Sequence, residues 1–259
     1  MENITFITAL YNIQREEKGD GRKWMDYLEW FKNTLKMPLK MVIYIPEELV
    51  SFVEEHRPKT YATKIILQEL EAIPYAKYEK AIASILQNPE YRAKIKHPDR
   101  VECRLPYYNI IQYSKFKWME EVAIMNPFET TYFFWMDAGI SRFVPIELYS
   151  RIVAQVELPV KKLVIQCNGM LLGYPVNEGY LWDSQCLMSG GMFGGDKELI
   201  NILTHKIDLE LEQRLSQGWI NNEQLLLAYL YRTFDKDLFH PVYNNTGIDF
   251  GLFHLMLIR

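Results

Sequence analysis

Five consecutive large apolar residues, Tyr132 to Met136, run directly into an acid, Asp137. With Thr130 and Thr131 before it, the run is too uniformly apolar for a strand with one wet face. It reads as a strand buried on both faces, of the kind found inside open α/β sheets. Such sheets bind ligands beyond the carboxyl ends of their strands, which is where Asp137 falls. Ala138 and Gly139 follow and keep the backbone unhindered, so a bulky anion, or a metal bound by it, could come close to Asp137; Arg142 completes the stretch. An Asp that merely caps a turn or helix is the competing reading, and spacing alone does not choose between them.

The 259 residues suit one large α/β domain or two small ones. With 49% apolar and 24% charged residues the composition is that of a globular protein rather than a disordered one. A formal net charge of −4 argues against a nucleic-acid binder that relies on a general phosphate field. No window reaches about 18 uncharged apolar residues, so no transmembrane span is expected. The first residues lack the basic segment of a signal peptide, which points to the cytoplasm. Cys103, Cys167 and Cys186 are few, odd in number and far apart, as suits reduced thiols. The aromatic share of 14% would suit stacking on sugars or bases, and equally an aromatic-rich core.

Ile4 to Leu10 reads as a strand leading into a polar loop, Asn12 to Arg22. Asp20 can cap the helix that follows, in which Trp24, Tyr27, Leu28, Phe31 and Leu35 repeat at helical spacing until Pro38. Leu39 to Ile45 is the next strand, giving a βαβ unit whose crossover favours a parallel pair. A short helix after Pro46, a strand at Lys64 to Leu67 and a helix at Tyr75 to Leu86 follow, and the polar Asn88 to Arg104 reads as a surface excursion. Tyr107 to Met125 is a long helix with Lys115 in the middle of an apolar stripe. That lysine is either a snorkelling stem or a cation aimed at a bound phosphate.

Pro145 to Val153 reads as helical, Lys162 to Cys167 as a strand, and the glycine-rich residues 168–184 as a loop that could form part of a lid. Two Gly-Gly pairs, Gly190-Gly191 and Gly194-Gly195, lack the Lys-Ser/Thr of a phosphate loop and suggest tight turns or close approach of backbone to a ligand. Asp196 caps a helix to about Gln217 with Leu199, Ile202, Leu203, Ile207, Leu211 and Leu215 inward, and Gly218 ends it. Trp219 to Tyr231 is another helix with Glu223 and Gln224 in its first turn, where the helix dipole favours a carboxylate. Leu238 to Tyr243, which contains Pro241, reads as an edge strand carrying His240.

TALYNIQR, YLEWFKNTL, SKFKWMEEVAIMNPF followed by FFWMDAG, and SGGMFGGD followed by WINNEQ together resemble the HtrL/WlaTC family of bacterial surface-glycan proteins. That family is similar to GT-A-fold glycosyltransferases, and the likeness covers nearly the whole chain. It implies a single GT-A-like, Rossmann-like α/β domain over 1–259, with a central mostly parallel twisted sheet flanked by helices. Residues 1–142 would form its nucleotide-binding half and 143–259 its acceptor and catalytic half.

The order of GGMFGG, long helix, Trp and acid also resembles the blood-group type of retaining transferases, and by that likeness Glu223 is the catalytic carboxylate. The resemblance further implies a nucleotide-sugar site made by Thr8, Ala9, Tyr11, Arg15, Arg22, Lys115, Asp137, Ala138, Gly139, Arg142, Gly190, Gly191, Asn222 and Gln224. A divalent Mn²⁺ or Mg²⁺ would sit on Asp137, with His240 as a further ligand. The chain departs from the family pattern in having Asp137-Ala138-Gly139 where an Asp-x-Asp is usual.

The expected function is transfer of a hexose, of galactose type, from a UDP-sugar to a cell-surface oligosaccharide or glycolipid such as lipopolysaccharide or capsule, with retention favoured and peripheral membrane association possible. The alternative is a non-catalytic glycan- or nucleotide-binding protein on the same scaffold. A nucleotidyltransferase is disfavoured, because no second acid near Asp137 offers a two-metal site.

Overall fold

A computed structural model describes residues 3–153, 157–243 and 251–258. In chain order the elements are β1 (Ile4–Ala9), α1 (Arg15–Lys18), α2 (Trp24–Leu35), β2 (Met41–Ile45), α3 (Val50–His56), β3 (Thr63–Leu67), α4 (Glu79–Gln87), α5 (Pro89–Lys94), α6 (Pro106–Met125), β4 (Tyr132–Met136), β5 (Leu163–Cys167), β6 (Met188–Asp196), α7 (Lys197–Ser216), α8 (Glu223–Thr233), β7 (Phe239–Tyr243) and α9 (Gly251–Leu257).

The seven strands form one sheet in the order β3-β2-β1-β4-β6-β5-β7. Every neighbouring pair is parallel except those of β6, which runs antiparallel to both β4 and β5. Alternate residues of each strand feed opposite cores, as the two-residue period of a strand requires. Ile7, Val42, Tyr44, Phe133 and Trp135 pack with α6, α7 and α8. Phe6, Met41, Ile43, Phe134 and Met136 pack with α2, α3 and α9. The apolar run of β4 is therefore buried on both faces, as its composition demands.

From β1 the chain winds outward through β2 and β3, then returns to place β4 on the other side of β1. The carboxyl ends of β1 and β4 thus flank the point where the winding reverses, where an open α/β sheet leaves a crevice. The register pairs Ile4 with Tyr132 and Ile7 with Trp135, so Ala9 and Asp137 leave the sheet side by side.

The structure corrects several sequence expectations. Residues 188–196 are a strand rather than a pair of turns, and their glycines serve close packing inside the sheet. A side chain on Gly194 would collide with the Phe133 and Phe134 backbone, and one on Gly195 with Leu199. Residues 88–104 are not a plain surface excursion: Asn88 caps α5 through the Glu90 amide, and Tyr91, Ile95, Val101, Glu102 and Cys103 are buried. The polar spacing there hides an inward face.

The loop Asn12–Arg22 contains the single turn α1, while the helical reading of Pro145 to Val153 is met by a 3-10 helix, Ile146–Arg151. Ile202 is 38% exposed and lies off the inward stripe of α7. α8 starts at Glu223 rather than Trp219, because Asn222 caps it. Residues 168–184 contain two 3-10 turns anchored by buried Leu171, Tyr180 and Leu181, with the Leu181 carbonyl accepting from the Trp219 indole, while most of the residues between Asn168 and Tyr180 are exposed. Among the described residues no helix is long and apolar enough to cross a membrane.

Candidate active site

A cleft of about 270 Å³ opens at the β1/β4 crevice. Its lining comes from the turn after β1 (Ala9 to Ile13), the α1 region (Arg15, Glu16, Arg22), α2 (Trp24, Tyr27), α6 (Tyr108, Ile111, Gln112, Lys115) and the end of β4 (Trp135, Asp137, Ala138, Gly139, Arg142). Four basic side chains face it against two acidic ones, on a chain whose net charge is negative. The cleft is therefore a local cationic spot suited to an anion of about two charges.

Asp137 continues the alternation of Phe133 and Trp135 and so turns toward α6. Its backbone amide donates to the Gly191 carbonyl at 2.8 Å, which fixes the end of β4 to β6. Its Oδ1 accepts from the Trp135 indole at 2.7 Å and lies 3.3 Å from the Lys115 ammonium. The loop beyond is held by α2, since Thr34 donates to the Ala138 carbonyl at 2.7 Å and Ser141 to the Trp30 carbonyl at 2.6 Å. Gly139 makes room for Trp30, which would stand 3.3 Å from a Cβ there.

Lys115 is buried, and its Nζ meets three oxygens from three elements: Glu223 Oε1 at 2.9 Å, the Gly190 carbonyl at 3.0 Å and Asp137 Oδ1 at 3.3 Å. An ammonium has three N–H donors, and all three are engaged. Burial pulls the Lys115 ammonium down, yet Asp137 and Glu223 outweigh it and hold the group above its ordinary value. For Glu223 burial dominates and raises the carboxyl above the usual range, although Lys115 opposes it.

The sequence around Glu223 explains how an acid comes to be buried there. Tyr91 and Tyr113 donate to the carbonyls of Ile220 and Asn221, and Asn221 donates to those of Leu181 and Asp183. Asn222 then caps α8 by accepting from the Gln224 amide at 3.0 Å, and Gln224 accepts from the Gly190 amide at 3.0 Å. Gly190 lets the Glu223 carboxylate lie flush against β6, because any side chain there would overlap it.

Nine of the residues expected from sequence line the cleft together: Ala9, Tyr11, Arg15, Arg22, Lys115, Asp137, Ala138, Gly139 and Arg142. Glu223 does not. It is fully buried behind Lys115, one of its oxygens has no hydrogen-bond partner, and it presents nothing to the cavity. Gly190, Gly191, Asn222 and Gln224 likewise stay out of the lining: Gly190, Asn222 and Gln224 serve to place Glu223 and Lys115, Gly191 holds the Asp137 amide, and Thr8 is buried and does not line the cleft. Sequence reading missed Tyr108, Ile111 and Gln112, although they stand at helical spacing from Lys115, and Trp24 and Tyr27 on α2.

The cations differ in availability. Arg15 is committed to Asp20 at 2.6 and 2.7 Å and to the Tyr27 hydroxyl at 2.6 Å. Arg22 and Arg142 share the ring of Trp30, at 5.9 and 5.0 Å, and neither has a carboxylate within ion-pair distance among the described residues. Burial, then the charge of Arg22, lowers the pKa of Arg142. Two like charges held together this way would be relieved by an anion between them.

His240 cannot join Asp137 on one ion. It is exposed on β7 and pairs with Val164, which is level with Gly194 and, beyond it, Phe134. Three strand spacings, about 14 Å, separate it from β4. Among the described residues no group of three or more His, Cys, Asp or Glu is placed to hold a metal. Among the described lining residues Glu16 and Asp137 are the acids, only Asp137 stands beside Lys115, and one of its oxygens is already taken by an indole and an ammonium. These residues do not fit a resident divalent ion, which prefers several free oxygen ligands.

A family model described as "Bacterial protein of unknown function (HtrL_YibB)" matches residues 2–257. The chain belongs to the HtrL_YibB family. No curated protein matches this HtrL_YibB member. Among solved structures it is similar to mouse xyloside xylosyltransferase 1 in its apo form, with a TM-score of 0.41 and 12% identity over 93% of this chain and 84% of that one. It is also similar to 4-diphosphocytidyl-2C-methyl-D-erythritol synthase from Anaerococcus prevotii, with a TM-score of 0.40 and 12% identity over 96% and 91%. At these values neither likeness bears on the chemistry of the HtrL_YibB cleft.

Proposed function

We propose that this HtrL_YibB protein is a glycosyltransferase that takes a sugar from a nucleotide-sugar donor. The observation that carries the reading is the cleft at the β1/β4 reversal, which Arg22 and Arg142 line together with Asp137 and where, among the described residues, neither arginine has a carboxylate within ion-pair distance. Sugar transfer breaks the bond from the anomeric carbon to phosphate, leaving negative charge on the departing diphosphate and positive charge on the ring. A site needs fixed cations at one end and a carboxylate at the other. Arg22 and Arg142 suit the diphosphate, with Tyr11 and Ala9 beside the nucleoside. Asp137 is the carboxylate available to the ring or to the proton of the acceptor hydroxyl.

Glu223 acts through Lys115 in this reading and is a positioning residue. Retention is favoured only by the likeness of GGMFGG and the Trp-to-Glu order to retaining enzymes, and the burial of Glu223 away from the cleft lends it no support. Every described lining residue falls within 1–142, which accords with a nucleotide-binding half, and 143–259 would carry the acceptor. Transfer of a galactose-type hexose from a UDP donor to a surface oligosaccharide or glycolipid is the finer proposal, supported by the motif resemblance of the sequence.

The test is calorimetry with UDP-, GDP- and CMP-sugars, together with analysis of the released product. Binding of one class and release of its nucleotide, a nucleoside diphosphate for a UDP- or GDP-sugar, are expected. Failure to bind any of them ends the reading, and release of pyrophosphate from a nucleoside triphosphate supplied with a sugar phosphate would make the protein a nucleotidyltransferase. One observation favours a non-catalytic nucleotide-binding protein instead: a single carboxylate reaches the inner end of the cleft. Such a protein would bind a nucleotide sugar and release nothing.

A further inference from the structure

Lys115 is held in a cage of the composition a hard divalent cation would use, two carboxylate oxygens and one backbone carbonyl. The three oxygens come from the end of β4, from β6 and from the first turn of α8, so whatever cation sits among them ties three parts of the fold together at the base of the cleft. We infer that the Lys115 ammonium is the resident cation of this site, supplied by the chain itself, and that the donor diphosphate is bound without a divalent metal. This rests on the nucleotide-sugar reading for its substrate, but not for the cage.

The surrounding chemistry agrees. With its three N–H groups engaged by protein oxygens, Lys115 has no donor left for a phosphate, so its work is to neutralise Asp137 and Glu223. Left uncompensated, those acids would repel a diphosphate in the cleft. A metal ion normally performs two tasks at such a centre: it neutralises protein carboxylates and it takes up phosphate charge. Here the tasks are divided, with Lys115 performing the first and Arg22 and Arg142 placed for the second. A divalent ion arriving at Asp137 would meet an ammonium 3.3 Å from one of that residue's oxygens, as well as Arg142, which lies close enough to feel the charge of Asp137.

The experiment uses MnCl₂ and UDP as probes on the full chain. Wild-type protein is titrated with Mn²⁺ alone, followed by electron paramagnetic resonance, and with UDP in the presence of Mn²⁺ or of EDTA. No specific Mn²⁺ site and a UDP affinity that changes by less than about twofold between the two conditions are expected. Lys115→Ala empties the cage and should gain Mn²⁺ binding by at least about tenfold, and Glu223→Gln in that background should abolish the gain.

A wild-type UDP affinity that rises tenfold or more with Mn²⁺ and collapses in EDTA overturns the inference. So does a folded Lys115→Ala protein that gains no Mn²⁺ affinity. Should Lys115→Ala fail to fold, the wild-type titrations decide the matter alone. Absence of UDP binding under every condition defeats the nucleotide-sugar reading, whereas the Mn²⁺ titrations still judge the cage.

Discussion

Gly190 and Glu223 occupy one another's space: the carboxylate of Glu223 lies where the first atom of any side chain on residue 190 would have to be. Because the Gly190 carbonyl also accepts from Lys115 and its amide donates to Gln224, the glycine sets the depth at which α8 docks against β6. Gly190→Ala should therefore push Glu223 outward and open the Lys115 cage, destabilising the fold by about 1–3 kcal/mol as overpacking does. Gly194→Ala, which strikes the β4 backbone, should cost similar stability. Denaturant midpoints measure both costs. Calorimetry with UDP separates the two, since at a temperature where both proteins are folded only Gly190→Ala should weaken binding strongly.

Replacing Lys115 by Met keeps most of the volume and removes the charge, leaving Glu223 buried with no cation beside it. Breaking a buried pair in this way costs about 3–5 kcal/mol. Burial raises the Glu223 carboxyl in the folded state, so the folded protein holds that proton more tightly than the unfolded chain does. The mutant's deficit should then shrink as pH falls from 7 toward the ordinary carboxylate range, by up to about 1.4 kcal/mol per pH unit for each proton taken up. At the other end, Lys115 is raised above its ordinary 10.5, so the stability it contributes is complete below that value and disappears as pH climbs through the higher folded one. Urea denaturation of both proteins across pH checks the two limbs. A deficit that does not vary with pH would assign the loss to packing.

The strand ending at Asp137 is legible because five large apolar residues in a row suit burial on both faces. Asp137, Ala138 and Gly139 follow from where that strand ends, Lys115 from its place in an apolar helix stripe, and Ala9, Tyr11, Arg15, Arg22 and Arg142 from the motif resemblance. Sequence could not show depth. Glu223 at a helix N-terminus looks the same on paper whether it faces a cavity or a lysine, and what decides is Gly190, thirty-three positions earlier, with no side chain to hold it off. The glycine pairs read as turns because their neighbours in space, β4 and β5, are remote in sequence. His240 was grouped with Asp137 by likeness alone, and strand order separates them.

His240→Ala is for that reason expected to leave both UDP affinity and any turnover within about twofold of wild type. An exposed side chain on β7 has neither the reach nor a partner carboxylate to influence the cleft. Loss of activity in this variant without loss of stability would show that the sheet edge takes part after all, and would reopen the question of a metal.

Arg22 and Arg142 should differ from Arg15 when each is replaced by Gln. Neither of the first two has a carboxylate within ion-pair distance among the described residues, so each can give a diphosphate charge-assisted hydrogen bonds of about 1.5–3 kcal/mol, and removing either should weaken UDP binding by roughly tenfold to a hundredfold. Arg15 is already bound to Asp20 and Tyr27, so Arg15→Gln should loosen the α1 turn and lower stability before it lowers affinity. Raising salt should weaken wild-type binding and weaken the Arg142→Gln protein less, because fewer charges remain to be screened. Calorimetry at two ionic strengths checks both statements.

Asp137→Asn distinguishes an enzyme from a binding protein. The substitution keeps the shape and can keep the acceptor for the Trp135 indole, but it removes the negative charge at the inner end of the cleft. Since that charge stands among groups meant for a diphosphate, its loss should leave UDP affinity unchanged or raise it by up to about tenfold. If Asp137 stabilises the sugar ring or takes the acceptor proton, donor turnover should fall by about a hundredfold or more, with kcat reduced rather than KM raised. Parallel measurement of UDP affinity and of nucleoside diphosphate release from the donor reads both quantities. Unchanged release would show that Asp137 plays no part in the chemistry, and would return the role of carboxylate to Glu223 through an opening of the Lys115 cage.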